Sequence, residues 1–459
     1  MKNNLKVLLL SNVIFFVHGY NKFVLNNLSG STTGVIQQVP YSPTVSSYNI
    51  YDTYVKFEQQ PLTTLYKFSG GDGGNSKSSL TTFGNDGFLY GTTYSGGNSG
   101  CYNAYGCGTI FKLDPITGTL TTLYKFSGPD GANPSASLTT FGNDGFLYGT
   151  TSSGGDSYNG TIFKINPTTG TLTTLYKFSV GDGGTPSSSL ISIGNDGFLY
   201  GTTTYGGDVT TWYSGCGTIF KINPTTGVLT TLYKFSGNDG MLPSTALTSI
   251  GNDGFLYGTT TVGGDNSCPY GCGTIFKINL TTGVFTILYK FSSTVGLWPN
   301  STLTTMGNDG FLYGTTYYGG NSGCFNANGC GTIFKINPIT GVLTTLYKFS
   351  GKDGSNPETS LITMGHDGLL YGTTYYGGNN SCSDVSGCGT IFKINPTTGV
   401  LTTLYSFSET GGAYPYASLI TMNNDGFLYG STYGGGNSSY TCSNKQCGTI
   451  FKINVTTQQ

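Results

Sequence analysis

Asp86-Gly87-Phe88-Leu89-Tyr90-Gly91 is a short phrase that the chain repeats seven times, and its recurrence decides the fold. The Asp-Gly-(Phe/Leu)-Leu-Tyr-Gly motif begins at Asp86, Asp144, Asp196, Asp253, Asp309, Asp367 and Asp425, at intervals of 52 to 58 residues. Repetition at that period overrides the two or three domains that 459 residues would otherwise suggest. Three further segments keep step with the motif. A Leu/Ile-rich stretch precedes it, as in Ser137-Leu138-Thr139-Thr140-Phe141. A Gly-Thr-Ile-Phe-Lys segment follows, starting at Gly108, Gly160, Gly217, Gly273, Gly331, Gly389 and Gly448. A Thr/Leu-Tyr-Lys-Phe segment comes last, as in Leu229 to Phe235.

Each segment is short, rich in β-branched and aromatic residues and bounded by turn formers, which is the signature of a strand. Asn-Asp-Gly between the first two supplies the positive φ of a tight hairpin. Asn-Pro-Thr-Thr-Gly, as at Asn166 to Gly170, turns the third strand into the fourth. Four short antiparallel strands per repeat make one propeller blade, so the chain is expected to be all-β: a seven-bladed β-propeller of four-stranded antiparallel blades. The phase of the repeats adds a closure. The series opens on a fourth-type strand, Leu62 to Phe68, and ends on a third-type strand, Gly448 to Ile453. Pairing the two completes the last blade and removes two open sheet edges.

Composition narrows the partners. Charged residues are only 9% of the chain, net charge is −1, and all 20 basic residues are Lys. Phosphate backbones and base edges are read by clustered Lys and Arg, so nucleic acid is not an expected partner. Residues 1–19 read as a signal peptide: Lys2 and Lys6 give a basic start, Val7 to Val17 an apolar stretch, and Val17-His18-Gly19 a cleavage-like site. The apolar run is shorter than the roughly 20 residues that span a bilayer, so no direct membrane insertion is expected. Residues 20–60 form a non-repeat extension and 61–459 the propeller. Thr53 to Glu58 alternates as an edge strand would, which suggests self-assembly through the extension.

The cysteines fit an oxidising, extracellular location. Ten of the 11 fall in close pairs at equivalent places: Cys101 with Cys107, Cys268 with Cys272, Cys324 with Cys330, Cys382 with Cys388, and Cys442 with Cys447. Their spacing varies and His is nearly absent, so loop-closing disulfides are expected rather than zinc. Cys216 is left without a mate. Sequons for N-glycosylation stand at Asn27, Asn159, Asn279, Asn300, Asn379, Asn437 and Asn454.

The pattern Leu312-Tyr-Gly-Thr-Thr-Tyr-Tyr-Gly-Gly320, continuing to Gly331-Thr332-Ile333-Phe334-Lys335, resembles the GloVer-type tandem repeat of secreted, often surface-anchored bacterial proteins. The resemblance runs over about residues 62 to 454. It implies extracellular display and a propeller-like fold, and it implies no activity. The paired cysteines depart from that pattern.

Residues that break the repeat are the place to look for chemistry. His366, replacing the turn Asn, has no evident carboxylate or nucleophile partner. Glu358 and Glu409 are assigned to loops between blades, and Trp212 and Trp298 are the only tryptophans. Asp72, Asp130, Asp182, Asp239 and Asp353 recur in the blade-to-blade loops. One carboxylate per loop falls short of a calcium site, so no cofactor or metal is expected. What remains is the loop after each Leu-Tyr-Gly strand, rich in Tyr, Asn, Ser and Gly, as in Tyr94 to Cys107, Tyr317 to Cys330 and Tyr375 to Cys388. Such loops suit recognition. Tyr94, Tyr317, Tyr318, Tyr375 and Tyr376 are therefore the expected binding residues, and the loops of Asp130, Asp239 and Asp353 are expected at the opposite end. The resulting expectation is a secreted, non-enzymatic adhesive protein that binds a protein or glycan. Two alternatives are a multivalent lectin and a hydrolase or lyase with a site in the central channel.

Overall fold

The computed structural model describes residues 62–455, except 99, 102–104, 195, 209–213, 265–267, 269, 322–323, 325–327, 366, 379–381, 383–385, 440–441 and 443–445. It also describes the backbone at Val24–Leu25 and Gly34–Val35, two short strands that pair antiparallel. The signal peptide, the Thr53 to Glu58 segment, Trp212, His366 and the sequons Asn27 and Asn379 lie outside the described residues. The chain divides into two units, Met1–Gln60 with Val455–Gln459, and Pro61–Asn454.

The second unit is a seven-bladed β-propeller. Blade 1 is built in sequence order from Thr81–Thr82, Leu89–Thr93, Thr109–Leu113 and Leu120–Lys125, each strand antiparallel to the next. Blades 2, 3, 5 and 6 repeat this order. Blade 4 has three strands, its first reduced to a bridge between Thr248 and Tyr257. Blade 7 takes Ile420–Thr421, Phe427–Ser431 and Thr449–Asn454 from one end of the series and Leu62–Lys67 from the other. The closing pair runs Thr449↔Lys67 to Ile453↔Leu62, with the same bulge between its third and fourth strands that the other blades show.

Burial explains the sequence of each strand. Every residue of Leu89–Thr93 is buried and Thr109–Leu113 nearly so, because both strands are covered by neighbouring blades on either face. With both faces covered, neither strand shows the in/out alternation of burial that a half-exposed strand would. The core accordingly lies between blades: Tyr90, Cys107, Ile110 and Phe126 of blade 1 meet Ala132, Leu138, Leu147, Phe163 and Ile165 of blade 2. Phe126 meets Phe163 edge to face at 5.3 Å, and Phe68 meets Phe111 at 5.4 Å across the closing seam. Gly91 sits in the middle of its strand because a Cβ there would lie 2.6 Å from Cζ of Phe111.

The recurring acids are consumed by structure. Each hairpin Asp takes a backbone N–H two residues on and a Tyr hydroxyl four residues on: Asp86 accepts from Phe88 N at 3.0 Å and Tyr90 Oη at 2.5 Å. In the blade-to-blade loop Asp130 accepts from Ser127 N at 2.9 Å and Tyr124 Oη at 2.5 Å. Burial, and then the adjacent carboxylate, push these tyrosine hydroxyls well above their ordinary pKa. They are donors, and they tie a strand to its own turn.

All five expected cysteine pairs close locally as disulfides. Cys101 joins Cys107, Cys268 joins Cys272, Cys324 joins Cys330, Cys382 joins Cys388 and Cys442 joins Cys447, with Cα–Cα distances from 5.1 to 5.8 Å. The second cysteine of each pair (Cys107, Cys272, Cys330, Cys388 and Cys447) is buried. Each directly precedes the Gly-Thr-Ile-Phe-Lys strand, so the staple ties the loop to the seam between blades. Cys216 holds the same place in blade 3 as a buried free thiol, pushed up by its burial.

One expectation is corrected. The loops of Asp130, Asp239 and Asp353 are on the same face as the loops that follow the second strands. Bridges join the two loop sets in every blade, among them Ala132↔Ser153, Met241↔Val262 and Ser355↔Tyr376. The reason is alternation: in a four-stranded antiparallel blade the exit of the second strand and the exit of the fourth point the same way. The opposite face carries the Asp-Gly hairpins and the Asn-Pro-Thr-Thr-Gly turns. In those turns the Asn166 side chain accepts from Thr168 N at 2.9 Å and Thr169 N at 3.0 Å.

Candidate binding site

Just ahead of the first strand, each blade places one residue on the wall of the central channel. From blade 1 to blade 7 these are Lys77, Ser135, Ser187, Ser244, Asn300, Glu358 and Tyr416, and all seven border a single cavity of about 630 Å³. A residue with left-handed backbone precedes each by two positions, from Asn75 at φ 56° to Tyr414 at φ 59°, so the chain turns inward identically in every blade. Two positions on, backbone N–H groups bond hydroxyls of the next blade: Ser79 N to Ser137 Oγ at 2.9 Å, Thr302 N to Ser360 Oγ at 3.1 Å, and Ser360 N to Ser418 Oγ at 2.8 Å. The channel wall is thus anchored between blades.

A second ring of equivalent positions follows the second strands: Tyr94, Ser152, Thr204, Thr261, Tyr317, Tyr375 and Tyr433. The two rings vary together. Blades 2, 3 and 4 carry Ser or Thr in both, whereas blades 5, 6, 7 and 1 carry the tyrosines, the amide and both charges. These four blades are neighbours through the closing seam.

On that side the rings of Tyr375, Tyr414, Tyr416 and Tyr433 form a connected cluster, with Tyr375 5.7 Å from Tyr416 and 5.3 Å from Tyr414, and Tyr416 6.3 Å from Tyr433. Lys77 Nζ stands over the Tyr94 ring at 3.9 Å, with Tyr416 at 5.2 Å and Tyr433 at 5.5 Å. Burial pushes the Lys77 ammonium down from its usual pKa, and the Glu358 charge partly offsets this. Glu358 keeps some exposure as a residue, but its Oε2 is sealed from solvent and meets no hydrogen-bond partner among the described residues. Burial pushes its carboxyl up to about 7, against the opposing pull of Lys77 and the Tyr416 hydroxyl. Ser135 Oγ and Thr204 Oγ1 are the other two buried side-chain oxygens without a partner among the described residues, and both belong to the same cavity. Buried polar atoms left unpaired cost about 1–3 kcal/mol each.

Of the five tyrosines expected from sequence, Tyr94 borders the cavity. Tyr317 and Tyr375 pack behind Glu358 and Tyr416, where burial and then neighbouring charge or hydroxyls raise their hydroxyls. Tyr318 and Tyr376 bridge to the adjoining loop strands of Leu297 and Ser355. The residues that sequence reasoning passed over are Lys77, Asn300 and Tyr416, and Glu358 was read only as a loop residue. Aligning the repeats at the fifth position after the blade-to-blade Asp (Asp72 to Lys77, Asp130 to Ser135, Asp353 to Glu358) exposes five of the seven ring positions in the sequence alone; the repeats of Asn300 and Tyr416 lack that Asp. Among the sequons, Asn300 accepts from Ser244 Oγ at 2.9 Å on the channel wall, and Asn437 donates to the Lys67 carbonyl at 3.2 Å.

The architecture defines a closed seven-bladed propeller with one asymmetric, polar central channel. The chain belongs to the Gloeobacter/Verrucomicrobia repeat family, whose model matches residues 44–212, 100–327, 192–385 and 270–459. No curated protein matches it. Among solved structures it is similar to the periplasmic gluconolactonase of Pseudomonas aeruginosa, at 15% identity and TM-score 0.50 over 73% of this chain and 85% of that one. It is also similar to a putative 6-phosphogluconolactonase of Bacteroides fragilis (19%, 0.48, 77% and 90%) and an oligogalacturonate lyase of Vibrio parahaemolyticus (11%, 0.45, 76% and 84%). At these identities the likeness shows the fold alone.

Proposed function

We propose that the protein is a secreted, non-enzymatic binding propeller that takes one saccharide unit of an extracellular glycan into its central channel. The observation that carries this reading is the coincidence of the two rings. Where the channel departs from Ser and Thr it does so in four adjacent blades, bringing Lys77, Tyr94, Asn300, Glu358 and Tyr416 around one cavity. A cavity bordered by hydroxyls, an amide and aromatic rings suits a polyhydroxylated ligand, since rings cover its apolar faces and the hydroxyls exchange hydrogen bonds with it. Asymmetry favours one ligand per molecule over seven equal lectin sites. The raised tyrosine hydroxyls favour donors over bases, and glycoside hydrolysis commonly takes a pair of carboxylates where this cavity offers Glu358.

The test is a glycan array read with three proteins: wild type, Ser187→Phe to fill the channel, and Ile116→Ser on the opposite face. Saccharide binding by the wild type should disappear in Ser187→Phe and persist in Ile116→Ser, with thermal melts confirming that both variants fold. Undiminished binding by the filled channel, or no saccharide binding by the wild type, would overturn the reading.

A further inference from the structure

Among the described residues Lys77 is the sole ammonium bordering the cavity, in a chain where charge is scarce. Among the described residues its Nζ makes no hydrogen bond or ion pair; it stands over the faces of Tyr94, Tyr416 and Tyr433, with the Glu358 carboxyl near enough to act on its charge. Aromatic faces attract the positive charge but leave its three N–H donors without the strong acceptors they can use. Three other blades place Ser at this position, so the fold does not require a cation here.

We propose that the sugar unit seated in the channel is an acidic one, a hexuronic acid, whose carboxylate is bound by Lys77 Nζ between the rings of Tyr94 and Tyr416. This rests on the channel being a saccharide site. Charge-assisted hydrogen bonds to a carboxylate are roughly twice as strong as neutral ones and would satisfy the donors that the tyrosines cannot. Much of the remaining border bears hydroxyls, including Ser135, Ser187 and Ser244, which can exchange hydrogen bonds with the ring hydroxyls of such a unit. Burial favours the neutral form of the Glu358 carboxyl, which weakens its repulsion of an anion, and in its acid form it is a further donor. Glu358, Ser135 and Thr204 all belong to the same wall, so the border is polar on several sides of the Lys77 ammonium.

Isothermal titration calorimetry at fixed pH and salt would compare methyl glycosides of glucuronic, galacturonic and mannuronic acids with those of glucose, galactose and mannose. The wild type should prefer the acid in at least one pair by about tenfold or more. Lys77→Met should bring that preference to near unity, read as the acid-to-neutral ratio so that a change in affinity common to both sugars cancels. Lys77→Ser, which carries the residue of three other blades, replaces it if Lys77→Met does not fold. Equal binding within every pair would overturn the acidic-sugar assignment and leave the saccharide channel standing. A preference that survives both folded Lys77 variants would overturn the role of Lys77. Binding of neither member of any pair would remove both readings.

Discussion

The seams between blades and the wall of the central channel are built from the same seven repeats, yet they behave oppositely. Every seam uses the same parts: an edge-to-face Phe pair at 5.2 to 5.4 Å, a Gly that lets the third-strand Phe approach, and a Tyr hydroxyl held by the hairpin Asp. At the channel the equivalent positions diverge from Ser to Lys, Asn, Glu and Tyr. Close packing explains the uniform seams, since a single methylene is felt in a void-free core. A channel wall faces open space, so its side chains can change without repacking the fold.

Removing the closure should break the comparison most severely. Deletion through Phe68 strips blade 7 of Leu62–Lys67 and takes Phe68 from the last seam. Calorimetry should show loss of the cooperative transition, and light scattering should show aggregation through the exposed sheet edge. Deletion to residue 60 should leave the transition in place. If both truncations melt alike, the seam between the ends is not what holds the ring shut.

Next in size are the seams themselves. Phe163→Ala and Phe334→Ala each remove a ring that is essentially fully buried, so denaturant unfolding should show a loss of about 3–5 kcal/mol for each. The two losses should agree with each other, because the seams are equivalent. A large disparity would mean that the blades share a sequence without sharing energetics.

The channel should respond differently. Glu358 has its folded pKa raised from 4.5 to about 7, so the folded state binds the extra proton and stability is favoured at low pH. That contribution should be lost as pH rises from about 4.5 through 7. Glu358→Gln should therefore flatten this part of the melting-temperature profile and melt above the wild type at pH 8. A wild-type profile that does not fall across this window more steeply than that of Glu358→Gln would place the carboxyl in a less buried setting.

The smallest effect is a matched pair in the outer strands. Tyr124→Phe deletes a hydrogen bond to Asp130 and should cost about 1 kcal/mol. Tyr289 occupies the equivalent place before a loop with no Asp, and its hydroxyl is raised by burial alone. Tyr289→Phe should cost measurably less, and equal losses would show that the Asp contact contributes nothing.

The blades were legible because each strand announces itself locally. Leu-Tyr-Gly-Thr-Thr and Thr-Ile-Phe-Lys are β-formers between Gly-rich turns, and the offset of Leu62 to Phe68 from Gly448 to Ile453 predicted which strand would close the ring. The cysteine pairs were legible for a similar reason. Partners as near in the chain as Cys268 and Cys272, or Cys442 and Cys447, have little choice of mate. The candidate site was less so. Tyr317 and Tyr375 stood out as aromatics in a loop, while Lys77 and Tyr416 looked like ordinary variation in a linker. The face of the Asp130 loop was not legible locally, because it depends on the alternation of all four strands of a blade, which returns the exit of the fourth strand to the side of the second.

The sequence by itself determined the repeat, the strand order, the closing strand and the composition of the seams, all consequences of local propensity and of a periodicity visible along one dimension. Only the tertiary structure decided that Lys77, Tyr94, Glu358 and Tyr416 share one cavity, although they come from three blades and from sequence positions as far apart as 77 and 416. The physical reason is ring closure. Rotation about the central axis brings the same position of every repeat to one wall, and the seam between the ends makes blade 1 the neighbour of blade 7.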